Sequence, residues 1–253
     1  MKHLIVIPIH NEAQYLPSVI AEIKKYLCEG ADILAIDDGS TDETPRVLAG
    51  IEGVEVMTHP TNLGYGRTLI DGFARAAERG YDHVMTIDAD WQHEPHLIRE
   101  FCDALDETDI VSGSRYLLPS NEEPPADRLA INQRVTAMVN EITGYGITDA
   151  FCGFKAYRVE AVKRLELTES GYGMPMQLWI QAWLKGLTVK ELPVGLVYFD
   201  RSRTFPGPIV DPEQRYRYYV AILERELAHG GCGLPTSDGG TPDSSSRRSG
   251  DDS

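Results

Sequence analysis

The segment Asp88-Ala89-Asp90-Trp91-Gln92 places two carboxylates and a side-chain amide close together in the chain. Asp88 and Asp90 are two residues apart, and on extended backbone such side chains point the same way, so both could converge on one point. Carboxylate and amide oxygens suit a hard divalent cation such as Mg²⁺ or Mn²⁺. The alternative is an acidic turn that caps a helix beginning at Pro95. The spacing therefore indicates a candidate metal site.

Two further polar clusters follow short apolar runs. In the first, Asp37 to Asp42, one carboxylate could accept hydrogen bonds from a ribose or a base edge, and Gly39 would permit a tight turn. The alternative for this cluster is helix capping by Ser40 or Thr41. The second cluster, Pro8 to Glu12, stands where a dinucleotide-binding fold carries its glycines, and it contains none. The chain also lacks a GxxxxGK[ST] phosphate loop, so neither of those nucleotide-binding classes is predicted.

Arginine side chains are the candidate phosphate ligands in the rest of the chain, because their planar, permanently charged forks match phosphate oxygens. The candidates are Arg115, Arg134, Arg201 and Arg203. Each of them could instead be a solvated surface charge or an ion-pair partner. Asp149 is a candidate general base, or merely a loop carboxylate.

Short apolar runs alternate with amphipathic helical segments through the first half of the chain. The predicted strands are His3–Ile9, Asp32–Asp37, Val54–Met57, His83–Asp88 and Asp109–Ser112. This alternation predicts an α/β fold with a doubly wound, mostly parallel sheet and helices on both faces. In such sheets ligands bind beyond the carboxyl ends of the strands, which is where the acidic clusters fall.

Composition limits the class of partner. The 253 residues carry a formal net charge of −15, which repels nucleic-acid phosphates, so nucleic acid is excluded as a partner. Any phosphate-bearing substrate must then be gripped by a metal ion, a few arginines or backbone N–H groups. Four scattered cysteines, no signal peptide and no apolar run of the roughly 18 residues that a membrane span needs predict a cytoplasmic chain without a transmembrane segment. Residues 1–229 are expected to form one domain, and the Gly-, Ser- and Asp-rich residues 230–253 a disordered tail.

Six segments, taken in order, resemble glycosyltransferases of family 2 with the GT-A fold, and most of all the dolichyl-phosphate mannose synthases and related polyprenyl-phosphate glycosyltransferases. They are PIHNE (8–12), IDDGSTDET (36–44), NLGYG (62–66), DADWQHEP (88–95), SGSRY (112–116) and TDAFCGFKAYR (148–158). The resemblance implies a single Rossmann-like GT-A domain. It also implies metal-dependent, inverting transfer of a hexose, with mannose or glucose the first candidates, from a nucleotide-diphosphate sugar.

The resemblance also implies roles for individual residues. The nucleoside pocket would be lined by Pro8, His10, Glu12, Ile36 and Asp38. The metal and the diphosphate would be bound by Asp88, Asp90 and Gln92, with the Ala89 backbone alongside. Arg115, Arg134 and Arg201 would lie near the donor and acceptor phosphates. Apart from the resemblance, Asp90 and Asp149 are the candidate catalytic carboxylates, and Asp149 would be needed as a base if the acceptor is a hydroxyl. The acceptor would be a polyprenyl phosphate, reached by a protein peripheral to a membrane surface, or a sugar or other hydroxyl.

Several positions depart from the family pattern. His10 stands where the family usually has Tyr, and Gln177 where it typically has Glu. Shortly after Arg201 the family carries a Lys that assists phosphate binding. This chain has no Lys there, and Arg203 is the candidate substitute. No C-terminal membrane anchor is expected. Two alternatives follow. One is a nucleotide-sugar-binding module without turnover. The other is a phosphatase with an aspartate nucleophile, for which no Lys-plus-acid site is found.

Overall fold

The computed structural model describes residues 1–120, 122, 124–197 and 207–233. In this part of the chain the strands are β1 (His3–Ile9), β2 (Ala31–Asp37), β3 (Glu55–Thr58), β4 (His83–Thr86), β5 (Ile110–Ser114), β6 (Lys155–Arg158) and β7 (Val189–Pro193). The α-helices are α1 (Leu16–Lys25), α2 (Thr44–Ala49), α3 (Tyr65–Glu78), α4 (Ile98–Ala104), α5 (Ala126–Thr143), α6 (Val159–Val162), α7 (Met174–Leu184) and α8 (Pro212–His229).

The strands form one sheet in the order β3-β2-β1-β4-β6-β5-β7. β1 pairs in parallel with both β2 and β4, and β5 pairs in parallel with β7. β6 runs antiparallel to both of its neighbours, β4 and β5. The predicted mostly parallel α/β fold is therefore confirmed. The chain winds outward from β1 to β3 and then returns to β4, so the order reverses between β1 and β4, the kind of point where such sheets bind ligands.

Side chains of β1 alternate between two apolar cores, one on each face of the sheet. Ile5, Ile7 and Ile9 pack on one face with α1 and α4, whereas Leu4 and Val6 pack on the other with helices that include α3, α5 and α7. A strand covered on both faces must be apolar at nearly every position, which is why β1 reads as an unbroken apolar run. The predicted helices on both faces of the sheet are confirmed.

β4 is shorter than predicted, and this changes the backbone of the acidic segment. The strand ends at Thr86 rather than at Asp88. Residues 89–93 form a bend in which Trp91 has a positive φ of 62°. The prediction that Asp88 and Asp90 lie on extended backbone is therefore wrong, because the chain turns at the point where the strand was expected to continue.

Pro95 begins a short 3₁₀ turn, Pro95–Leu97, that leads into α4. The residue at the N-cap of that turn is Glu94, so the alternative of a cap by Asp88 or Asp90 is wrong. None of the helices in the described ranges is long and apolar enough to cross a membrane. Arg201, Arg203 and residues 234–253 of the predicted tail lie outside the described residues.

Candidate active site

The carboxyl ends of β1, β2 and β4 enclose a cavity of about 330 Å³. Among its lining residues are Pro8, His10 and Glu12 from the end of β1, Asp38 from the end of β2, and Asp88, Ala89 and Asp90 from beyond β4. The structure thus brings together seven of the predicted site residues. Of the five residues predicted to line the nucleoside pocket, Ile36 is the one that does not line this cavity, because its side chain is fully buried in the apolar core.

The segments that follow β1 and β2 are tied to each other by hydrogen bonds. Asn11 adopts a positive φ of 58°, its backbone N–H donates to Ser40 Oγ at 2.9 Å, and its side-chain oxygen accepts from Thr41 N at 2.8 Å. His10 Nδ1 lies 2.8 Å from the Asp38 carbonyl oxygen, so that nitrogen carries the ring proton and donates it. The predicted capping of a helix by Ser40 or Thr41 is wrong, because the N-cap of α2 is Glu43. These hydrogen bonds hold the two segments together as one wall of the cavity.

The Asp38 carboxylate is largely used within the protein. It accepts hydrogen bonds from His59 Nδ1 at 2.7 Å, Leu63 N at 2.8 Å and Gly64 N at 2.9 Å, and the residue is only 4% exposed. Gly64, with a φ of 103°, lines the same cavity. Asp38 therefore shapes one wall of the cavity by fixing residues 59–64.

The acidic segment is ordered by its own neighbours. Gln92 donates to Asp90 twice, from its side-chain amide at 2.7 Å and from its backbone at 3.1 Å. The Asp88 backbone N–H donates to His93 Nδ1 at 3.0 Å, which leaves the ring proton on Nε2, 3.6 Å from the Asp88 carboxylate. Burial lowers the pKa of His93 to about 4, so this ring is neutral at ordinary pH. His93 positions Asp88 and was not predicted from the sequence.

A second cavity of about 460 Å³ adjoins the first and shares His10, Glu12, Tyr65, Asp88 and Tyr172 with it. Its further lining residues include Gln92, His93, Arg115, Arg128 and Asn132. The acidic segment therefore lies at the boundary between a first cavity rich in carboxylates and a second one that contains two arginines. Arg128, in the first turn of α5, was missed because the spacing of residues along a helix does not show which turn will face a cavity.

Asp149 forms an ion pair with Arg115. The Asp149 carboxylate accepts from Arg115 Nε at 2.6 Å and from Nη2 at 2.9 Å, and also from the Phe151 backbone N–H at 3.1 Å. Burial alone would raise the pKa of Asp149, but the charge and hydrogen bonds of Arg115 outweigh burial and keep that pKa below its ordinary value. Asp149 is completely buried and lines neither cavity, so this geometry gives its predicted general-base role no support.

Arg134 does not reach either cavity. It is exposed on α5, and its guanidinium lies 3.9 Å from the centre of the Tyr216 ring. This geometry therefore gives the predicted phosphate contact by Arg134 no support, whereas Arg128 on the same helix lines the second cavity.

Known structures identify the class of fold. The chain superimposes on glucosyl-3-phosphoglycerate synthase of Mycobacterium tuberculosis in complex with Mn²⁺, UDP-glucose and phosphoglyceric acid, with a TM-score of 0.68 and 20% identity over 93% of this chain and 81% of that one. The same synthase in complex with UDP gives a TM-score of 0.68 at 22% identity, over 93% of this chain and 82% of that one. The fold is thus that of the GT-A glycosyltransferases.

Sequence relatives then define the family. Residues 4–166 match the model of glycosyl transferase family 2. The chain is 31% identical over 201 residues to polyprenol monophosphomannose synthase of Mycolicibacterium smegmatis, covering 76% of each chain. It is 29% identical over 206 residues to undecaprenyl-phosphate mannosyltransferase of Micrococcus luteus, covering 78% of this chain and 84% of that one. The chain belongs to glycosyltransferase family 2.

Proposed function

We propose that this protein transfers a hexosyl group, mannose or glucose, from a nucleotide-diphosphate sugar to a polyprenyl phosphate, and that it does so with Mg²⁺ or Mn²⁺. The observation that carries the proposal is that Asp88 and Asp90 line the first cavity and Asp88 and Gln92 line the adjoining second one, within a family 2 chain. The first cavity is lined by Pro8, His10, Glu12 and Asp38, which supports its use as the nucleoside pocket, and the second presents arginines.

The residues present suit a divalent cation. Asp88, Asp90 and Gln92 supply hard oxygen donors, and the protein carries a formal net charge of −15 that leaves few other means of holding a pyrophosphate. A cation bound there would neutralise the charge that develops on the departing nucleotide diphosphate. Gln92 orients the Asp90 carboxylate, and His93 orients Asp88, so both ligands are held in place before any donor binds. Asp90 is catalytic in this sense.

The second cavity favours an anionic acceptor. Arg115 and Arg128 line it, and arginine forks bind phosphate oxygens. Asp149 engages Nε and Nη2 of Arg115 and thereby fixes the direction of its guanidinium, so Asp149 acts as a positioning residue. An acceptor phosphate is already ionised at neutral pH and needs no general base. Its oxygen forms the new bond to the anomeric carbon as the bond to the diphosphate breaks, with inversion.

A lipid-linked acceptor is supported by two further observations. The relatives named above are a polyprenol monophosphomannose synthase and an undecaprenyl-phosphate mannosyltransferase. Leu117 and Leu118, which follow closely after Arg115, are 41% and 61% exposed, and Leu118 lines a groove together with Arg115. Exposed apolar side chains beside a phosphate-binding arginine suit an acceptor whose tail stays in a membrane. The protein would then act peripherally at a membrane surface.

The test is a transfer assay with radiolabelled GDP-mannose and UDP-glucose, Mn²⁺, and either a polyprenyl phosphate in detergent or a panel of sugar hydroxyl acceptors. We expect transfer to the polyprenyl phosphate, and a 10- to 100-fold rise in its KM in Arg128→Ala, which corresponds to the roughly 1.5–3 kcal/mol of a hydrogen bond to a charged group. Arg134→Ala, on the same helix but stacked on Tyr216, is the matched control and should keep the parent KM. Transfer to hydroxyl acceptors alone, or equal effects of the two variants, would contradict the proposed acceptor.

A further inference from the structure

The end of the sheet opposite the two cavities carries two histidines at inward positions. His3 begins β1, His83 begins β4, and the two residues are register partners in the parallel pair. His3 therefore continues the face of β1 that carries Ile5, Ile7 and Ile9. β1 rises by about 3.3 Å per residue, which places His3 on the order of 20 Å from the cavities at its other end. This end of the molecule has no part in the proposed function.

These histidines lack the hydrogen bonds that a buried ring normally makes. The Nδ1 atoms of both His3 and His83 are buried and have no hydrogen-bond partner among the described residues. The two ring centres are 5.1 Å apart. A buried polar atom without a partner costs free energy, so each one calls for an explanation such as an ion.

Two thiols complete the cluster. Cys28 lies in the connection between α1 and β2, and Cys102 lies on α4 and is 5% exposed. One nitrogen of His3 and the sulfurs of Cys28 and Cys102 all lie within 4.8 Å of one another. In tetrahedral zinc sites, Zn–S bonds of about 2.3 Å and Zn–N bonds of about 2.0 Å bring such atoms to within about 3.5–3.8 Å of each other. A contraction of about 1 Å, within reach of side-chain rotation, would therefore complete the geometry.

We infer that His3, Cys28 and Cys102 form a second metal site, for a soft d¹⁰ ion such as Zn²⁺, separate from the oxygen-ligand site at Asp88 and Asp90. Two thiolates and an imidazole select such an ion over Mg²⁺ or Mn²⁺. The fourth position is left to water or to His83. The ion would join β1, the α1–β2 connection and α4, three segments distant in sequence, and so stabilise the first half of the fold.

The Cys102 thiol gains its charge only when the metal binds. Burial, together with the neighbouring Cys28 sulfur, raises the pKa of Cys102 well above its ordinary value, so this thiol is protonated at neutral pH. Binding of the ion therefore releases the thiol protons to solvent as the two metal–sulfur bonds form. No oxidant is required, which distinguishes the site from a disulfide.

The first test is titration of the reduced, tag-free protein with Co²⁺. We expect a thiolate-to-cobalt charge-transfer band in the near ultraviolet that saturates at one equivalent, and its loss when Zn²⁺ is added. Only sulfur ligation gives this band, so binding at the oxygen site does not contribute to it, and Asp90→Ala should retain it in full. A missing band, or one that Asp90→Ala removes, would overturn the inference.

Variants test the ligand set. Cys102→Ser and His3→Gln should each weaken Zn²⁺ binding at least tenfold and reduce the charge-transfer band, whereas Cys232→Ser, which changes a free thiol outside the cluster, should leave both unchanged. Because Cys102 is buried, Cys28→Ser, at a half-buried position, is the second variant if Cys102→Ser fails to fold.

Thermal unfolding gives an independent readout, because an ion that binds only the folded state raises the Tm with its concentration. We expect Zn²⁺ to raise the Tm of the parent and of Cys232→Ser but not of Cys28→Ser. Equal shifts in all three proteins would overturn the inference. A second result would also overturn it. Thiol counting and mass analysis of protein purified without reductant would show Cys28 and Cys102 joined as a disulfide, and the protein would bind no Zn²⁺ after reduction.

Discussion

The ion pair between Asp149 and Arg115 gives the sharpest prediction about an individual carboxylate. Asp149 is fully buried and accepts two hydrogen bonds from the Arg115 guanidinium, whose side chain is only 17% exposed. Asp149→Asn keeps the shape of the residue but removes the charge that balances Arg115. Breaking a buried ion pair costs about 3–5 kcal/mol. Because Arg115 keeps some contact with water and Asn retains one acceptor oxygen, the expected loss in the free energy of unfolding is at the lower end, about 3 kcal/mol.

The assay is urea unfolding combined with steady-state transfer kinetics. Arg115→Met and the double variant complete a double-mutant cycle, for which we expect a coupling of about 0.5–3 kcal/mol because the residues are in contact. The double variant should be more stable than Asp149→Asn, since it leaves no unpaired buried charge. The reasoning would be refuted if Asp149→Asn unfolded within about 0.5 kcal/mol of the parent yet lost turnover at saturating substrates, because that is the behaviour of a general base.

Two further substitutions test the site and its support. In Gly153→Ala the added Cβ would lie 2.8 Å from an Asp88 carboxylate oxygen, so Mn²⁺-dependent donor affinity should fall more than tenfold, or about 1.4 kcal/mol. Gly50→Ala is the control and should have no effect, because the atom nearest to its added Cβ is 3.6 Å away. Equal donor affinities of the two variants in calorimetry would contradict the position of Asp88. Gln177→Glu restores the residue typical of the family, but Gln177 donates to the buried Glu226 at 2.9 Å. The variant should therefore lose about 1–3 kcal/mol of unfolding free energy at neutral pH and recover part of it in mildly acidic buffer. Urea unfolding at the two pH values checks this, and a more stable variant would show the reasoning to be wrong.

Much of the fold could be predicted because its signals are local. An unbroken apolar run predicted β1 with its correct bounds, His3–Ile9. The direction of β6 could not be predicted, since a four-residue strand after the long helix α5 reads the same in either direction. The end of β4 was also missed. The apolar pattern continues to Ile87, and the turn that follows depends on a positive φ at Trp91. The sequence gives no sign of this turn, because Trp91 is not a residue type that usually adopts such a φ.

In the candidate site, too, the residues with a local signal could be predicted and those that depend on distant contacts could not. Residues within a single motif, such as Asp88 and Asp90, were found from the sequence because their spacing is itself the signal. The role of Asp149 was left open because it depends on Arg115, which lies 34 residues earlier in the chain. Arg128 and Arg134 are alike in sequence terms, and only the packing of α5 turns Arg128 toward the second cavity and Arg134 onto the half-buried ring of Tyr216.

Calorimetric titration of nucleotide-diphosphate sugars with and without Mn²⁺ tests the central claim most directly. We predict that the parent protein binds GDP-mannose or UDP-glucose at least tenfold more tightly with Mn²⁺, about 1.4 kcal/mol, and that Asp90→Ala abolishes this difference while its binding without metal is unchanged. Donor binding that is equally tight in Asp90→Ala, with Mn²⁺ dependence intact, would contradict the assignment of the metal and diphosphate to the acidic segment beyond β4.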